Sequence, residues 1–182
     1  DEDYAWWSAR LKRALNQADV FRIDHFRGFA GYYEIPASCP TAEEGVWIPG
    51  PGKALFEAIE RTLGKLPIVA EDLGLITADV IELRDTFDFP GMKILQFGFG
   101  TDDTDDFLPH NWGRNFVAYT GTRDNDTVRG WWETASAHER SFAASYRGTD
   151  AEHVHWAMIR ACCDSVANIT HFPLQNLHDR DG

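Results

Sequence analysis

Short apolar segments alternate with segments of helical periodicity along this chain, and that alternation constrains the fold more than any other feature. Strands are predicted at residues 20–24, 66–70, 92–97, 116–120 and 166–172. Helices are predicted at residues 4–18, 53–63, 78–87, 127–135, 137–147 and 151–163, and a long loop at 28–52. Uninterrupted apolar strands separated by helices are typical of a parallel sheet covered on both faces. The sequence therefore predicts an α/β fold.

The absence of certain motifs narrows that fold class further. No glycine-rich dinucleotide or Walker signature follows any predicted strand, which favours a (β/α)8 barrel of the TIM type over a nucleotide-binding sheet. A complete barrel takes about 250 residues, whereas this chain has 182 and shows no linker that would divide it. We therefore predict a single partial barrel domain over residues 1–182, truncated at both ends.

The charge balance and the length of the apolar runs each exclude one class of partner. The chain has 17 basic and 29 acidic residues, for a net charge of −12, so it lacks the positive surface that nucleic-acid binding requires. No apolar run approaches the ~20 residues that a membrane-spanning helix needs. We predict neither a nucleic-acid partner nor a membrane partner, and an uncharged sugar fits the composition.

The cysteines and histidines bear on compartment and metal binding. Cys39, Cys162 and Cys163 cannot all pair, which predicts a reducing compartment. Because no signal-peptide pattern is present, we expect a cytoplasmic protein. The histidines show no metal-ligand spacing on one helix face, and the acidic stretch 102–106 lacks the glycine of a calcium loop. No metal site is predicted.

Three predicted strands have a carboxylate at or shortly after their carboxyl ends, namely Asp24, Glu71 and Asp124. In a (β/α) barrel, functional residues gather at the carboxyl ends of the strands. Glu71 follows Asp24 by 47 residues and precedes Asp124 by 53. At about 30 residues per barrel unit, the second interval spans two units and the first spans one enlarged unit. All three carboxylates are therefore predicted to face one mouth.

The residues around these carboxylates suggest different roles. Arg22 lies two positions before Asp24, so both side chains point the same way, and a guanidinium there favours an ionised nucleophile. Glu71 follows an apolar strand, which predicts a raised pKa and a general acid. Asp124 would stabilise positive charge on the sugar or hold its hydroxyls. An ionised carboxylate and a proton-donating carboxyl, the roles suggested for Asp24 and Glu71, together cleave glycosidic bonds. The alternatives are helix caps or loop residues for the carboxylates and a structural ion pair for Arg22.

Several aromatic residues have two possible uses. Trp47, Phe97 and Trp112 are predicted in loops or at a strand end, where a sugar ring or another side chain could stack on them. A separate group is predicted to pack in the core or against helices: Trp6, Trp7, Trp131 and Trp132.

Six longer motifs follow one another along the chain between about Tyr4 and Gln175. They are FRIDHFRGF, YYEIPASCPTAEEGVW, VAEDLG, LRDTFDFPGMKILQF, FLPHN and YTGTRDNDT. Together they strongly resemble the 4-α-glucanotransferases of glycoside hydrolase family 77, the amylomaltases or disproportionating enzymes. The resemblance implies a partial chain carrying roughly strands four to eight of the barrel.

The same resemblance implies a role for individual residues. Asp24 matches the catalytic nucleophile, Glu71 the general acid/base and Asp124 the transition-state stabiliser. The predicted substrate-binding set is Arg22, which braces the nucleophile, together with His25, Phe97 and Arg123.

Two positions depart from the family pattern. Arg123 stands where a histidine usually precedes the stabilising aspartate, so it either contacts substrate or draws Asp124 into an ion pair. Asn176 stands where similar enzymes usually carry aspartate.

The implied reaction cleaves an α-1,4-glucan and passes the retained segment to the 4-hydroxyl of an acceptor glucose or glucan. Double displacement retains the α configuration. The implied substrates are maltooligosaccharides and dextrins derived from starch or glycogen, with no metal or organic cofactor. Two alternatives remain open: an α-glucan hydrolase, and an inactive or merely glucan-binding fragment. The isolated chain is predicted to be inactive, because an incomplete barrel leaves open sheet edges.

Overall fold

Residues 2–179 are described by a computed structural model in which helices alternate with short strands. The chain contains two compact units, Asp1–Gly91 and Met92–Gly182. In the residues described, no helix has the length and apolar character needed to cross a membrane.

From residue 2 onward, the first unit combines one parallel pair of strands with three α-helices. The helices are α1 (Ala5–Leu15), α2 (Gly52–Leu63) and α3 (Ala78–Thr86), and the strands are β1 (Phe21–Ile23), β2 (Gly31–Glu34), β3 (Val46–Pro49) and β4 (Ile68–Ala70). Strands β1 and β4 pair in parallel, while β2 and β3 form an antiparallel hairpin.

Phenylalanine rings form the centre of the first unit's core. Phe26, Phe56 and Phe89 are fully buried, and each pair of ring centroids lies 5.3–6.0 Å apart. Helix α2 contributes Phe56 from its apolar face and ends at Gly64, whose φ of 79° only glycine adopts without strain. This core supports the carboxyl ends of β1 and β4.

Up to residue 179, where the description ends, the second unit contains a three-stranded sheet and four α-helices. The strands are β5 (Gly91–Ile94), β6 (Phe116–Tyr119) and β7 (Ile169–His171), in the order β5-β6-β7. The helices are α4 (Val128–Thr134), α5 (Ala137–Arg147), α6 (Val154–Cys163) and α7 (Leu174–Leu177). Strands β6 and β7 are parallel, and residues of α5 and α6 pack with Leu95, Phe99 and Leu108 in a second core.

The parallel pairs and alternating helices confirm the predicted α/β class. The described strands form no closed barrel, so the partial barrel, like the single domain over residues 1–182, stays a prediction. The predicted loop at 28–52 is wrong in part, because β2 and β3 lie within it. Strand β5 also ends at Ile94, after which residues 95–99 form a 3-10 helix. Trp6, predicted to pack, is largely exposed although its ring touches Trp7.

Candidate active site

The parallel register of β1 and β4 brings two of the predicted carboxylates to one edge of the first unit. Ile23 is the register partner of Ala70, so Asp24 and Glu71 follow at equivalent positions on neighbouring strands. Two backbone hydrogen bonds extend this pairing beyond the strands: Glu71 N–H donates to the Ile23 carbonyl at 2.9 Å, and Phe26 N–H donates to the Glu71 carbonyl at 3.0 Å. The loops that leave the two strands are therefore held together.

The Glu71 carboxylate is oriented by backbone donors from both loops. Its Oε2 accepts a hydrogen bond from His25 N–H at 2.6 Å, and its Oε1 accepts one from Leu73 N–H at 2.9 Å. The His25 backbone has φ 52° and ψ 50°, a left-handed conformation that is uncommon for residues other than glycine. Such strain clusters at functional sites, and here it occurs at the residue whose N–H contacts Glu71.

Arg22 and Asp24 form the ion pair that their two-residue spacing predicts. The Arg22 Nη2 donates to Asp24 Oδ1, which restricts the orientation of the carboxylate. The side chain of Asp24 nevertheless remains 67% exposed. A carboxylate that is both oriented and accessible can reach a ligand in solution.

Asp124 lies in the second unit, on a loop stabilised by its own side chains. Asn125 Oδ1 accepts hydrogen bonds from both the backbone N–H and the hydroxyl of Thr122, at 2.9 and 2.8 Å. The Thr122 hydroxyl in turn accepts from Asp124 N–H at 3.3 Å. This turn leaves the Asp124 side chain exposed, with Arg123 Nε 3.4 Å from its Oδ1. The structure contains the ion pair expected for Arg123, and contact of Arg123 with substrate stays a prediction.

Two buried amides that the sequence does not mark as site residues hold the same loop. Asn176 Nδ2 donates to the Thr120 hydroxyl at 2.8 Å, and Asn176 Oδ1 accepts from Val128 N–H at 3.0 Å. Gln96 Nε2 donates to the Asp126 carbonyl at 3.0 Å. Sequence analysis singles out Asn176 only as a departure from the family pattern, since its partners are distant in the chain.

The three candidate sugar-stacking rings differ in accessibility. Trp47 on β3 is 57% exposed, and Phe97, in the 3-10 helix after β5, is also exposed. Trp112 is only 6% exposed, so its ring packs inside the second unit and presents no stacking surface.

The first unit therefore brings together Arg22, Asp24, His25 and Glu71, with hydrogen bonds among them. Phe97, Arg123 and Asp124 belong to the second unit, and the convergence of all three carboxylates on one mouth stays a prediction. Within residues 2–179, no group of three or more His, Cys, Asp or Glu side chains is arranged to hold a metal ion.

Known proteins are similar to this chain in sequence and in structure. A family model described as 4-alpha-glucanotransferase matches residues 1–182. The 4-alpha-glucanotransferases of Thermus thermophilus and of Synechocystis sp. are 48% and 49% identical to this chain, of which they match 97% and 96%. The chain spans only 37% and 35% of the length of those two relatives.

Solved structures agree with the sequence comparisons. Amylomaltase from Streptococcus agalactiae, in complex with acarbose, matches 98% of this chain and 36% of its own with a TM-score of 0.92 and 37% identity. Amylomaltase from Corynebacterium glutamicum matches 90% of this chain and 29% of its own with a TM-score of 0.73. Its 16% identity makes that second match evidence for the fold alone. On the family match and these identities, the chain belongs to the 4-alpha-glucanotransferase family.

Proposed function

We propose that this chain supplies the catalytic carboxylates of a 4-α-glucanotransferase, which transfers segments of α-1,4-glucan to the 4-hydroxyl of an acceptor glucose or glucan. The observation that carries the proposal is the pairing of β1 with β4, which places Asp24 and Glu71 on adjoining loops and the Glu71 carboxylate on His25 N–H. Membership of the family supports it.

In the proposed mechanism, Asp24 attacks the anomeric carbon while Glu71 protonates the departing glycosidic oxygen. The resulting glucosyl ester on Asp24 is then attacked by the acceptor 4-hydroxyl, and Glu71 takes up the proton of that hydroxyl. Each displacement inverts the anomeric centre, so the two together retain the α configuration. Arg22 orients the nucleophile, and Asp124 stabilises the positive charge that develops on the sugar ring.

The proposed substrates are maltooligosaccharides and dextrins derived from starch or glycogen. The amylomaltase of Streptococcus agalactiae was solved with acarbose, which supports a sugar ligand for this related chain. His25, Phe97 and Arg123 are proposed to contact the substrate. We further propose that the chain forms roughly strands four to eight of a (β/α)8 barrel and acts in the cytoplasm.

A chimera tests this function directly. Residues 1–182 would replace the matching third of the Thermus thermophilus relative, and the folded chimera would be incubated with maltotriose. Transfer yields both glucose and longer maltodextrins. Glu71→Gln should slow the reaction by about 10²- to 10⁴-fold because the proton donor is lost, and Asp24→Asn should abolish it. Asp19→Asn, at an exposed position of the same unit, is the matched control.

If the folded chimera produces neither glucose nor longer products, the proposed function is wrong. Glucose alone, released at a rate that added acceptor glucan does not change, would identify the chain with the alternative function of α-glucan hydrolysis.

A further inference from the structure

The first unit contains a cavity of about 440 Å³ that the proposed mechanism does not use. Its lining includes Arg27, Trp47, Leu75, Thr77 and Asp79. A volume of this size lies within the range of small-molecule sites, which combine apolar walls with a few polar groups. The cavity therefore has the dimensions and the composition of a ligand site.

The loops that carry Asp24 and Glu71 also build this cavity. Arg27 lies in the 3-10 helix that follows Asp24, and its Nη1 donates to the carbonyl of Leu75, four residues after Glu71. The β2–β3 hairpin adds Trp47, over whose ring the Arg27 guanidinium lies at 4.5 Å from the centroid. A ligand in the cavity would touch the same two loops as a ligand at the carboxylates.

Arg27 leaves one hydrogen-bond donor unused. Its Nε is buried and has no hydrogen-bond partner within the described part of the chain. Buried donors are rarely left unpaired in folded proteins, because an unmade hydrogen bond costs free energy. The same burial closes Nε to a ligand, so a ligand in the cavity would bond the terminal nitrogens of the Arg27 guanidinium instead.

The charges and walls of the cavity select the chemical class of the ligand. Arg27 carries a positive charge and Asp79 a negative one at neutral pH, where a hydrogen bond from the Thr77 side chain lowers the pKa of Asp79 further below its ordinary value. One positive and one negative side chain favour neither an anion nor a cation. Trp47 keeps 57% of its surface exposed, and Ile48, Pro49 and Leu75 add apolar surface. A neutral ligand with several hydroxyls and an apolar face matches these walls.

We propose that this cavity is an additional binding site for a glucose unit of an α-glucan. The sugar ring contacts Trp47, while Arg27 donates to its hydroxyls and Asp79 accepts from them. The choice of an α-glucan rests on the proposed function, whereas the preference for a neutral sugar follows from the cavity itself.

Titration of the chain with maltotriose, followed in ¹H–¹⁵N spectra, tests the site. The Trp47 indole signal, assigned by its loss in Trp47→Phe, should shift and saturate, whereas the signal of Trp156 in the second unit should stay in place. Asp79→Asn should weaken the binding seen at Trp47 about tenfold, because it removes one charged acceptor. Asp19→Asn should leave the affinity unchanged. Thermal unfolding of each variant verifies that it is folded.

Shifts at Trp47 that are absent, or that never saturate, would overturn the proposal, and so would an unchanged affinity in folded Asp79→Asn. If the Trp47 signal does not respond to maltotriose while the chimera transfers glucan, the cavity site alone is ruled out. If the Trp47 signal shifts and saturates while the chimera is inactive, the proposed function alone is ruled out.

Discussion

Asn176 connects two groups that are 56 and 48 residues away from it in the sequence. Its amide bonds the Thr120 hydroxyl just after β6 and the Val128 N–H at the start of α4, which are the two ends of the loop that carries Asp124. The side chain is only 1% exposed, so water cannot replace either bond. One buried side chain thus holds a loop on which a predicted catalytic residue is exposed.

Replacing this amide tests its contribution at the residue scale. Asn176→Ala should lower the free energy of unfolding by about 2 kcal/mol, because it leaves buried polar partners unsatisfied. Gln175→Ala, at the exposed neighbouring position, should change it by less than about 0.5 kcal/mol. Urea unfolding of both variants measures the difference. Equal stabilities would show that the loop does not depend on Asn176.

At the scale of single elements, helix α5 shows how far local sequence determines a boundary. Ser136 accepts from Glu139 N–H at 3.2 Å, and the Glu139 carboxylate accepts from Ser136 N–H at 2.7 Å, a reciprocal capping box. The helix ends at Gly148, which has a left-handed φ of 60°. Both signals lie within the helix's own segment, and the predicted bounds of 137–147 are confirmed.

The capping box predicts a specific pH dependence. Hydrogen bonds from Ser136 lower the pKa of Glu139 below its ordinary 4.5. This carboxylate therefore stabilises the fold above that ordinary value, and its contribution is lost as pH falls through the lowered pKa. Glu139→Gln should reduce stability at neutral pH by about 0.5 kcal/mol. It should also reduce the loss of stability that acidification causes. Thermal unfolding between pH 3 and 7 measures both, with the exposed Glu133→Gln as control. If Glu139→Gln lost as much stability on acidification as the parent chain does, the prediction would be contradicted.

The β2–β3 hairpin shows the opposite situation at the same scale. Tyr33 pairs with Trp47, and their ring centroids lie 5.4 Å apart. Neither strand alternates cleanly between polar and apolar residues, and the two are separated by a long turn. Their strand character comes from pairing with each other, so sequence analysis predicts a loop.

At the scale of the whole molecule, two buried cores raise the question of cooperativity. If residues 1–182 form the single domain predicted from the sequence, a substitution that creates a cavity in the core of one unit must destabilise both units. Met158→Ala in the second unit should cost about 2–5 kcal/mol. Hydrogen exchange should then show reduced protection of β1 and β4 in the first unit as well as of β6 and β7. Exposed Ser145→Ala is the control. Protection that falls in the second unit alone would show two domains.

The activity of the isolated chain belongs to the same scale. The chain spans about a third of its relatives, and its described strands do not close a barrel. We expect the 182-residue chain alone to form no glucose or longer maltodextrins from maltotriose, under conditions in which the chimera does. Product chromatography measures this. Transfer by a soluble monomer of the chain would contradict the expectation.

The sequence by itself determined the α/β class, most helix positions and the family, because periodicity, caps and motifs are properties of contiguous residues. It also identified Asp24, Glu71 and Asp124 at the ends of predicted strands. Only the tertiary structure decided that Glu71 accepts from His25 N–H, 46 residues away, and that Asn176 bridges Thr120 and Val128. Contacts at such separations arise from the register of β1 with β4 and from the packing of the second unit. Neither register nor packing is encoded in any short segment of the chain.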